Sequence, residues 1–187
     1  MDPASMTSGY LEIIIGPMFS GKTSKLLEVY KQCKYCNISV VVINHSSDTR
    51  YTDTMLSTHD RQMIPCIQTS SLAEAWRADA CVQAADVVLI NEGQFFDELY
   101  QVVVEMLDAS KKIYISGLDG DFQRKKFGQI LDLVPMCDKV SKLKSLCGVC
   151  KNGQPAIFSK RTTTETTQTL VGVSNYTPVC RKCYSAE

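Results

Sequence analysis

Short apolar runs recur along the chain, and segments with a helical period of apolar residues separate them. Residues 11–15 (LEIII), 40–44 (VVVIN), 87–90 (VVLI) and 113–115 (IYI) have the length and composition of buried strands. The helical period is carried by Leu26, Leu27, Tyr30 and Cys33, and later by Leu99, Val102, Val103, Met106 and Leu107. Strands that alternate with helices predict an α/β fold, in which right-handed βαβ units form a mainly parallel sheet with helices on both faces.

Weaker patterns complete the predicted order of elements. Residues 64–68 predict a short strand, and Ser71 and Glu74 have capping-box spacing at the start of a helix that runs through Trp76. Residues 130–134 predict a short helix that ends near Pro135, and residues 140–146 a last strand.

Polar segments follow the predicted strands at 16–23, 46–60, 91–96 and 116–127. Ligands collect at the carboxyl ends of the strands in parallel sheets, so we expect these segments to converge on one face.

Residues 16–23 (GPMFSGKT) match G-x-x-x-x-G-K-[ST], the motif of phosphate-binding loops. A chance match in an ordinary turn is the alternative, but the strand before and the helix after favour the phosphate site, because backbone N–H groups and the positive helix end then face one point. Lys22 is predicted to reach the terminal phosphates and the Thr23 hydroxyl to bind Mg²⁺. The predicted phosphate-binding residues are Gly16, Pro17, Met18, Phe19, Ser20, Gly21, Lys22 and Thr23. The main domain is accordingly predicted to be a P-loop domain of the RecA-like type.

Two C-x-x-C pairs, Cys147 with Cys150 and Cys180 with Cys183, frame a threonine-rich segment in which no helical period is found. Four thiolates satisfy tetrahedral Zn²⁺ with no open position, which is a structural site. Unrelated buried thiols or redox pairs are the alternatives. We therefore predict a leader at 1–8, a nucleotide-binding domain at 9–145 and a small zinc-ribbon-like domain at 146–187. The remaining cysteines are interpreted as ordinary thiols, and His45 and His59 as hydrogen-bonding loop residues.

Charge and composition exclude several classes of protein. The 187 residues include 20 basic and 20 acidic side chains, so a general nucleic-acid binder, which carries an excess of basic residues, is not expected. No apolar run approaches the roughly 20 residues of a membrane helix, and no signal peptide is visible. These features predict a cytoplasmic protein with reduced cysteines and no membrane partner.

Glu92 follows a buried strand near the phosphate loop and is the predicted general base. A carboxylate there could take the proton of an acceptor hydroxyl during phosphoryl transfer. A structural turn carboxylate is the alternative.

Seven motifs in order resemble the cytosolic-type thymidine kinases, a tetrameric, zinc-containing class. The motifs are GPMFSGKT (16–23), DTRY (48–51), THD (58–60), EGQFF (92–96), LDGDFQRKKF (118–127), SKR (159–161) and CRKCY (180–184). The resemblance spans residues 9–184 and implies transfer of the ATP γ-phosphate to the 5′-hydroxyl of thymidine or deoxyuridine in deoxynucleotide salvage. It also implies feedback inhibition by dTTP, a homotetramer, Mg²⁺ with ATP and a structural Zn²⁺.

Site residues follow from the resemblance position by position. Glu92 matches the family's general base, and Lys22 and Arg50 complete the catalytic set. Arg124 and Arg161 are further candidates for neutralising phosphate charge. The expected Mg²⁺ ligands are Thr23, Asn91 and Asp48. The expected nucleoside pocket consists of Met18, Phe95, Leu118, Phe122, Phe127, Ser159 and a closing "lasso" that includes Leu170, Val171, Gly172, Val173 and Tyr176.

The chain departs from the family's pattern at three places. Asn91 stands where the family has Asp. One negative charge beside the metal is therefore lost, and weaker Mg²⁺ binding is expected. The lasso has one glycine where a pair is common, and the segment between Cys150 and Ser159 is about two residues longer than usual.

Two other classes compete with the kinase. An ATP-driven nucleic-acid motor of the recombinase type would need a basic groove and usually a larger chain. A zinc-ribbon interaction module with an inactive nucleotide fold is supported by Asn91 alone, while Lys22, Thr23 and Glu92 oppose it.

Overall fold

The strands and helices follow the alternating order that the sequence predicts. This computed structural model describes residues 8–48, 55–57, 62–170 and 175–186. The strands are β1 (Tyr10–Ile15), β2 (Val40–His45), β3 (Met55–Ser57), β4 (Met63–Pro65), β5 (Ile67–Thr69), β6 (Val87–Asn91), β7 (Lys112–Gly117), β8 (Lys139–Lys142), β9 (Ser145–Leu146), β10 (Pro155–Ala156), β11 (Phe158–Arg161) and β12 (Tyr176–Val179). The helices are α1 (Lys22–Tyr35), α2 (Leu72–Ala78), α3 (Ala80–Ala84), α4 (Leu99–Asp108) and α5 (Arg181–Ser185), with 3₁₀ turns at Gly93–Phe95 and Ile130–Met136.

A parallel sheet lies at the centre of the fold. Within the described part of the chain it has six strands, in the order β5-β2-β6-β7-β1-β8, and every pairing is parallel. The predicted α/β architecture is therefore confirmed. The strand-order switch brings β1, with its following loop, next to β7 rather than β2.

Apolar side chains cover both faces of this sheet. One face packs Leu26, Leu27 and Val29 of α1, together with the antiparallel pair of β3 and β4, against β2 and β6. The other face packs α2, α3, α4 and the 3₁₀ helix Ile130–Met136 against β1, β6 and β7, with Phe96 fully buried. Helices on both faces are thus confirmed, and the loops that follow the strands are left at the sheet's edge.

Two predicted strands are divided in the structure. The stretch 64–68 breaks at Cys66 into β4, which pairs antiparallel with β3, and β5, which joins the main sheet. The stretch 140–146 breaks after Lys142 into β8, an outer strand of the main sheet, and β9, which pairs with β10. In each case apolar content predicts a strand correctly, but it does not indicate which partner each half will find.

A small cluster of buried residues organises the C-terminal segment. Cys147, Ala156, Val179 and Cys180 are buried together, and Phe158 packs against them. Two antiparallel pairs, β9–β10 and β11–β12, surround this cluster. The predicted division at 145/146 falls within β9, and the division into domains stays a prediction.

Among the helices of the described residues, none combines the length and the hydropathy that a bilayer span requires.

Gly128 and Gly153 offer a matched test of close backbone packing. Both have positive φ, 59° and 83°, but a Cβ at Gly128 would lie 2.1 Å from the carbonyl oxygen of Gln94, whereas a Cβ at Gly153 meets nothing within 4 Å. We expect Gly153→Ala to lower the free energy of unfolding by about 1 kcal/mol, because only the left-handed backbone is penalised. Gly128→Ala should lower it by about 3 kcal/mol or more, since overpacking adds to the same penalty. Denaturant unfolding measures both, and equal losses would contradict the predicted contact.

Candidate active site

The predicted phosphate loop lies between β1 and α1. Gly21 caps the helix with φ 84°, and Phe19 also has positive φ, 61°. Left-handed residues in such a turn direct backbone N–H groups into one concavity, which suits an anion. Gly16 is needed for packing, because a Cβ there would lie 2.5 Å from the carbonyl oxygen of Leu143.

Polar groups of the loop also suit an anionic ligand. Lys22 Nζ donates to the Pro17 carbonyl oxygen at 2.8 Å, so its cation is held over the loop. Ser20 Oγ is buried and, among the described residues, has no hydrogen-bond partner. A buried hydroxyl without a partner is costly unless a ligand satisfies it.

A row of polar side chains lies at the carboxyl ends of the central strands. Ser116 Oγ donates to Asn91 Oδ1 at 2.7 Å, and Thr23 Oγ1 lies 3.5 Å from the same oxygen. Asn91 Nδ2 donates to Asn44 Oδ1 at 2.8 Å. Thr23 and Asn91 therefore offer an oxygen-only donor set, which is the set that Mg²⁺ prefers. Asp48 adjoins this row through Asn44 Nδ2, at 3.4 Å.

Glu92 projects from the end of β6 at the start of the 3₁₀ turn. Its backbone is left-handed, with φ 55°, and its side chain is half-buried. Gln94 Nε2 donates to Glu92 Oε2 at 2.7 Å, and Gln94 Oε1 accepts from the backbone N–H of Leu118 at 2.9 Å. Gln94 thus ties the predicted base to the predicted pocket wall.

Aromatic rings stand beside this carboxylate. Phe95 meets Phe127 edge to face, with ring centroids 5.5 Å apart, and it stacks on His45 at 5.4 Å. His45 is buried at the end of β2, where it also contacts Phe96, and its Nδ1 accepts from the N–H of Ser47. Burial lowers the pKa of His45, so the ring is held neutral and behaves as part of the apolar wall.

The C-terminal segment closes the other side of the loop. Ser159 on β11 is buried, and its Oγ accepts from the backbone N–H of Met18 at 2.9 Å. Gln168 Nε2 donates to Asp121 Oδ2 at 2.9 Å, and the Tyr184 hydroxyl donates to the Phe122 carbonyl oxygen at 2.7 Å. The loop after β7 is therefore tied to the C-terminal segment at two points.

Arg161, a candidate for neutralising phosphate charge, contacts an aromatic ring, a hydroxyl and several carbonyl groups. Its buried guanidinium lies 3.8 Å from the Phe122 ring centroid and donates to the Tyr176 hydroxyl at 2.5 Å. It also donates to the carbonyl oxygens of Glu165, Thr167 and Gln168. Four acceptors engage this cation, so it organises the segment before the lasso. Arg124 likewise stacks on the Tyr184 ring, at 4.4 Å.

Several predicted site residues fall outside the described residues. They are Arg50, Val171, Gly172 and Val173. Leu170 is described and half-buried, and Tyr176 packs beside Phe122 through their shared contact with Arg161.

Four cysteines converge in the C-terminal segment. The Sγ atoms of Cys147, Cys150, Cys180 and Cys183 all lie within 4.8 Å of one another, and the distances from Cys150 to Cys180 and Cys183 are 3.8 and 3.2 Å. Tetrahedral Zn²⁺ with Zn–S bonds of about 2.3 Å places sulfurs ~3.8 Å apart. All nine cysteines are described and none forms a disulfide. The cluster therefore fits a four-thiolate metal site.

Backbone donors prepare one of these thiols for a metal. The N–H groups of Cys150 and Cys180 donate to Cys147 Sγ, at 3.4 and 3.3 Å, and lower the pKa of Cys147 to about 6. The thiolate form is the metal ligand, so these hydrogen bonds favour metal binding.

Comparison with known proteins assigns the chain to a family. The family model described as "Thymidine kinase" matches residues 9–184. This chain belongs to the thymidine kinase family. A thymidine kinase of variola virus is 38% identical over 180 residues, which cover 96% of this chain and 98% of that protein. "Thymidine kinase 1" of Dictyostelium discoideum is 38% identical, with 96% and 79% covered, and "Thymidine kinase a" of Arabidopsis thaliana is 41% identical, with 95% and 75% covered.

Within this family member, sequence reasoning missed the residues that hold the predicted ones in place. Gln94 orients Glu92, and Asn44 and Ser116 hold Asn91. Gln94 lies inside a quoted motif and follows a buried strand, which is the one signal that could have identified it. The others depend on pairings between distant segments.

The cysteine cluster yields a prediction about metal content. We expect one Zn²⁺ per chain in the purified protein, and its loss in Cys183→Ser together with faster proteolysis within 147–186, because the small core there includes the ligands. Cys81→Ser is the control, since Cys81 is exposed and outside the cluster. Elemental analysis and limited proteolysis measure both effects. Full zinc content in Cys183→Ser, or equal loss in Cys81→Ser, would refute the assignment.

Proposed function

We propose that this chain is an ATP-dependent thymidine kinase. It transfers the γ-phosphate of ATP to the 5′-hydroxyl of thymidine or deoxyuridine, in deoxynucleotide salvage. The proposal rests on one observation: three elements lie together at one edge of the sheet. There the phosphate loop, Glu92 and the Phe95–Phe127 wall all follow adjacent strands.

Residues 16–23 bind the phosphates of ATP. The backbone N–H groups of the loop and the N-terminus of α1 face the β- and γ-phosphates, and Ser20 Oγ gains a partner there. Lys22 exchanges the Pro17 carbonyl oxygen for phosphate oxygens and neutralises charge that develops during transfer. Arg50 is assigned to the same task by resemblance.

Mg²⁺ would be held near Thr23, Asn91 and Asp48. A bound Mg²⁺ supplies charge neutralisation of the nucleotide's phosphate oxygens. Asn91 contributes an oxygen without a charge, so we expect weaker metal binding than a carboxylate would give.

Glu92 acts as the general base. A carboxylate can accept the 5′-hydroxyl proton as the hydroxyl oxygen attacks phosphorus. The hydrogen bond from Gln94 fixes one carboxylate oxygen, Oε2, and so aims the other. This arrangement supplies orientation, which is a large part of catalysis in phosphoryl transfer.

The nucleoside pocket is assigned to the apolar and small polar groups around the general base, Glu92. Phe95 and Phe127 form one wall, with Leu118 fixed beside them by Gln94. The remaining pocket residues are Met18, Phe122, Ser159, Leu170, Tyr176 and the lasso residues 171–173. The hydrogen bond between Met18 and Ser159 joins this pocket to the phosphate loop.

Assembly and regulation are proposed from the resemblance alone. They comprise a homotetramer and feedback inhibition by dTTP. A structural Zn²⁺ in a separate C-terminal domain is proposed from the cysteine cluster as well, and a cytoplasmic location from the composition of the chain.

A substitution of the base tests this function. We expect ADP to form from Mg-ATP only when thymidine is present, with thymidine monophosphate as the equimolar product. Glu92→Gln keeps the shape and removes the base, so kcat should fall by about 10²–10⁴-fold with little change in KM. Asp97→Asn, at an exposed neighbouring carboxylate, is the control and should keep wild-type kcat. Thymidine-independent ADP formation, or a Glu92→Gln variant as active as the control, would contradict the proposal.

A further inference from the structure

The carboxamide of Asn91 has two chemically different ends. Only its oxygen can face a cation or a hydroxyl that binds one, and a rotated amide would present Nδ2–H₂ instead. In the structure Oδ1 faces Thr23 and Ser116, and Nδ2 faces Asn44. The value of Asn91 to a metal site therefore depends on which partner enforces this orientation.

Neighbouring hydroxyls cannot enforce it. The Thr23 and Ser116 hydroxyls can each donate or accept, so they would tolerate either end of the amide. Asn44 lies directly opposite Asn91 in the parallel register of β2 and β6. Asn44 is therefore the neighbour that can distinguish Oδ1 from Nδ2 of Asn91, provided that its own amide is held in one orientation.

Asp48 orients Asn44 in turn. A carboxylate only accepts hydrogen bonds, and Asp48 Oδ2 lies 3.4 Å from Asn44 Nδ2. Gln68 Oε1 lies 3.3 Å from the same nitrogen. The hydrogen bonds thus run in one direction, from Ser116 and Asn91 at one end through Asn44 to Asp48 at the other.

Burial makes this direction costly to reverse. Asn44 and Asn91 are each only 1% exposed. If either amide rotated, two donors or two acceptors would face each other in the interior, where water cannot satisfy them. An unsatisfied buried group costs about 1–3 kcal/mol.

We propose that Asn44 is a positioning residue of the metal site. By accepting from Asn91 Nδ2, it holds the Asn91 oxygen toward Thr23, where Mg²⁺ of a nucleotide would bind directly or through water. Asn44 itself does not touch the metal. This inference rests on the proposed function, because it assumes that Mg-ATP occupies the phosphate loop.

A carboxylate at position 91 separates this role from a merely structural one. The two oxygens of an Asp are equivalent, so either one can face the metal side and no neighbour is needed to select between them. The loss caused by Asn44→Ala should therefore disappear in the Asn91→Asp background. A structural defect would persist in both backgrounds.

The experiment measures ATP dissociation constants by calorimetry, with Mg²⁺ and with EDTA. The ratio gives the Mg²⁺-dependent gain in ATP affinity, a readout independent of turnover. We expect Asn44→Ala to reduce this gain about fivefold, the loss that corresponds to one misdirected hydrogen bond. Gln68→Ala, which removes a neighbour of Asn44 but not its contact with Asn91, is the matched control and should stay within about twofold of wild type.

Three outcomes would overturn the proposal. The first is an unchanged Mg²⁺-dependent gain in Asn44→Ala, and the second is a loss in Gln68→Ala as large as that in Asn44→Ala. The third is a loss from Asn44→Ala that is as large in the Asn91→Asp background as in the wild type. If Asn44→Ala does not fold, Asn44→Ser is measured instead, since its hydroxyl is polar but too short for this contact. A wild-type protein that binds no ATP would refute the proposed function as well, whereas normal ATP binding with an unaffected Asn44→Ala refutes this inference alone.

Discussion

The parallel register of three central strands determines where the polar side chains of the candidate site lie. β2, β6 and β7 end at the same level, so Asn44, Asn91 and Ser116 form one row of hydrogen-bonded side chains. Thr23 joins the row because β1 lies beside β7 and is followed directly by the phosphate loop. Each loop that departs from this edge therefore begins at a fixed distance from the phosphate-binding turn.

The C-terminal segment contributes the rest of the site by attaching to that edge. Ser159 accepts a hydrogen bond from Met18 of the phosphate loop, and Arg161 gathers carbonyl groups beside Phe122 and Tyr176. The cysteine cluster adjoins the same pair of strands, β11 and β12, since Cys180 directly follows β12. A metal held there would stabilise the two strands that carry Ser159, Arg161 and Tyr176.

Local patterns in the sequence were sufficient for the main elements and for the four cysteines that cluster in the C-terminal segment. Alternating apolar runs predict the parallel sheet, and G-x-x-x-x-G-K-[ST] and the C-x-x-C pairs have fixed spacings that reflect one ligand geometry each. What they could not predict are contacts between segments far apart in the chain. Asn44 meets Asn91 only through strand pairing, and the packing of Arg161 on Phe122 likewise joins two distant segments. Likewise, the division of 140–146 into β8 and β9 depends on which partner strands are available.

A crystal structure with thymidine and the Mg²⁺ complex of a non-hydrolysable ATP analogue tests the central claim most directly, because that claim concerns the meeting of two substrates at one edge of the sheet. The account predicts the triphosphate on residues 16–23, the base between the Phe95–Phe127 wall and the C-terminal segment, and the 5′-hydroxyl within hydrogen-bond reach of Glu92. A nucleoside bound away from this edge, or a 5′-hydroxyl that cannot reach Glu92 directly or through one water, would contradict it.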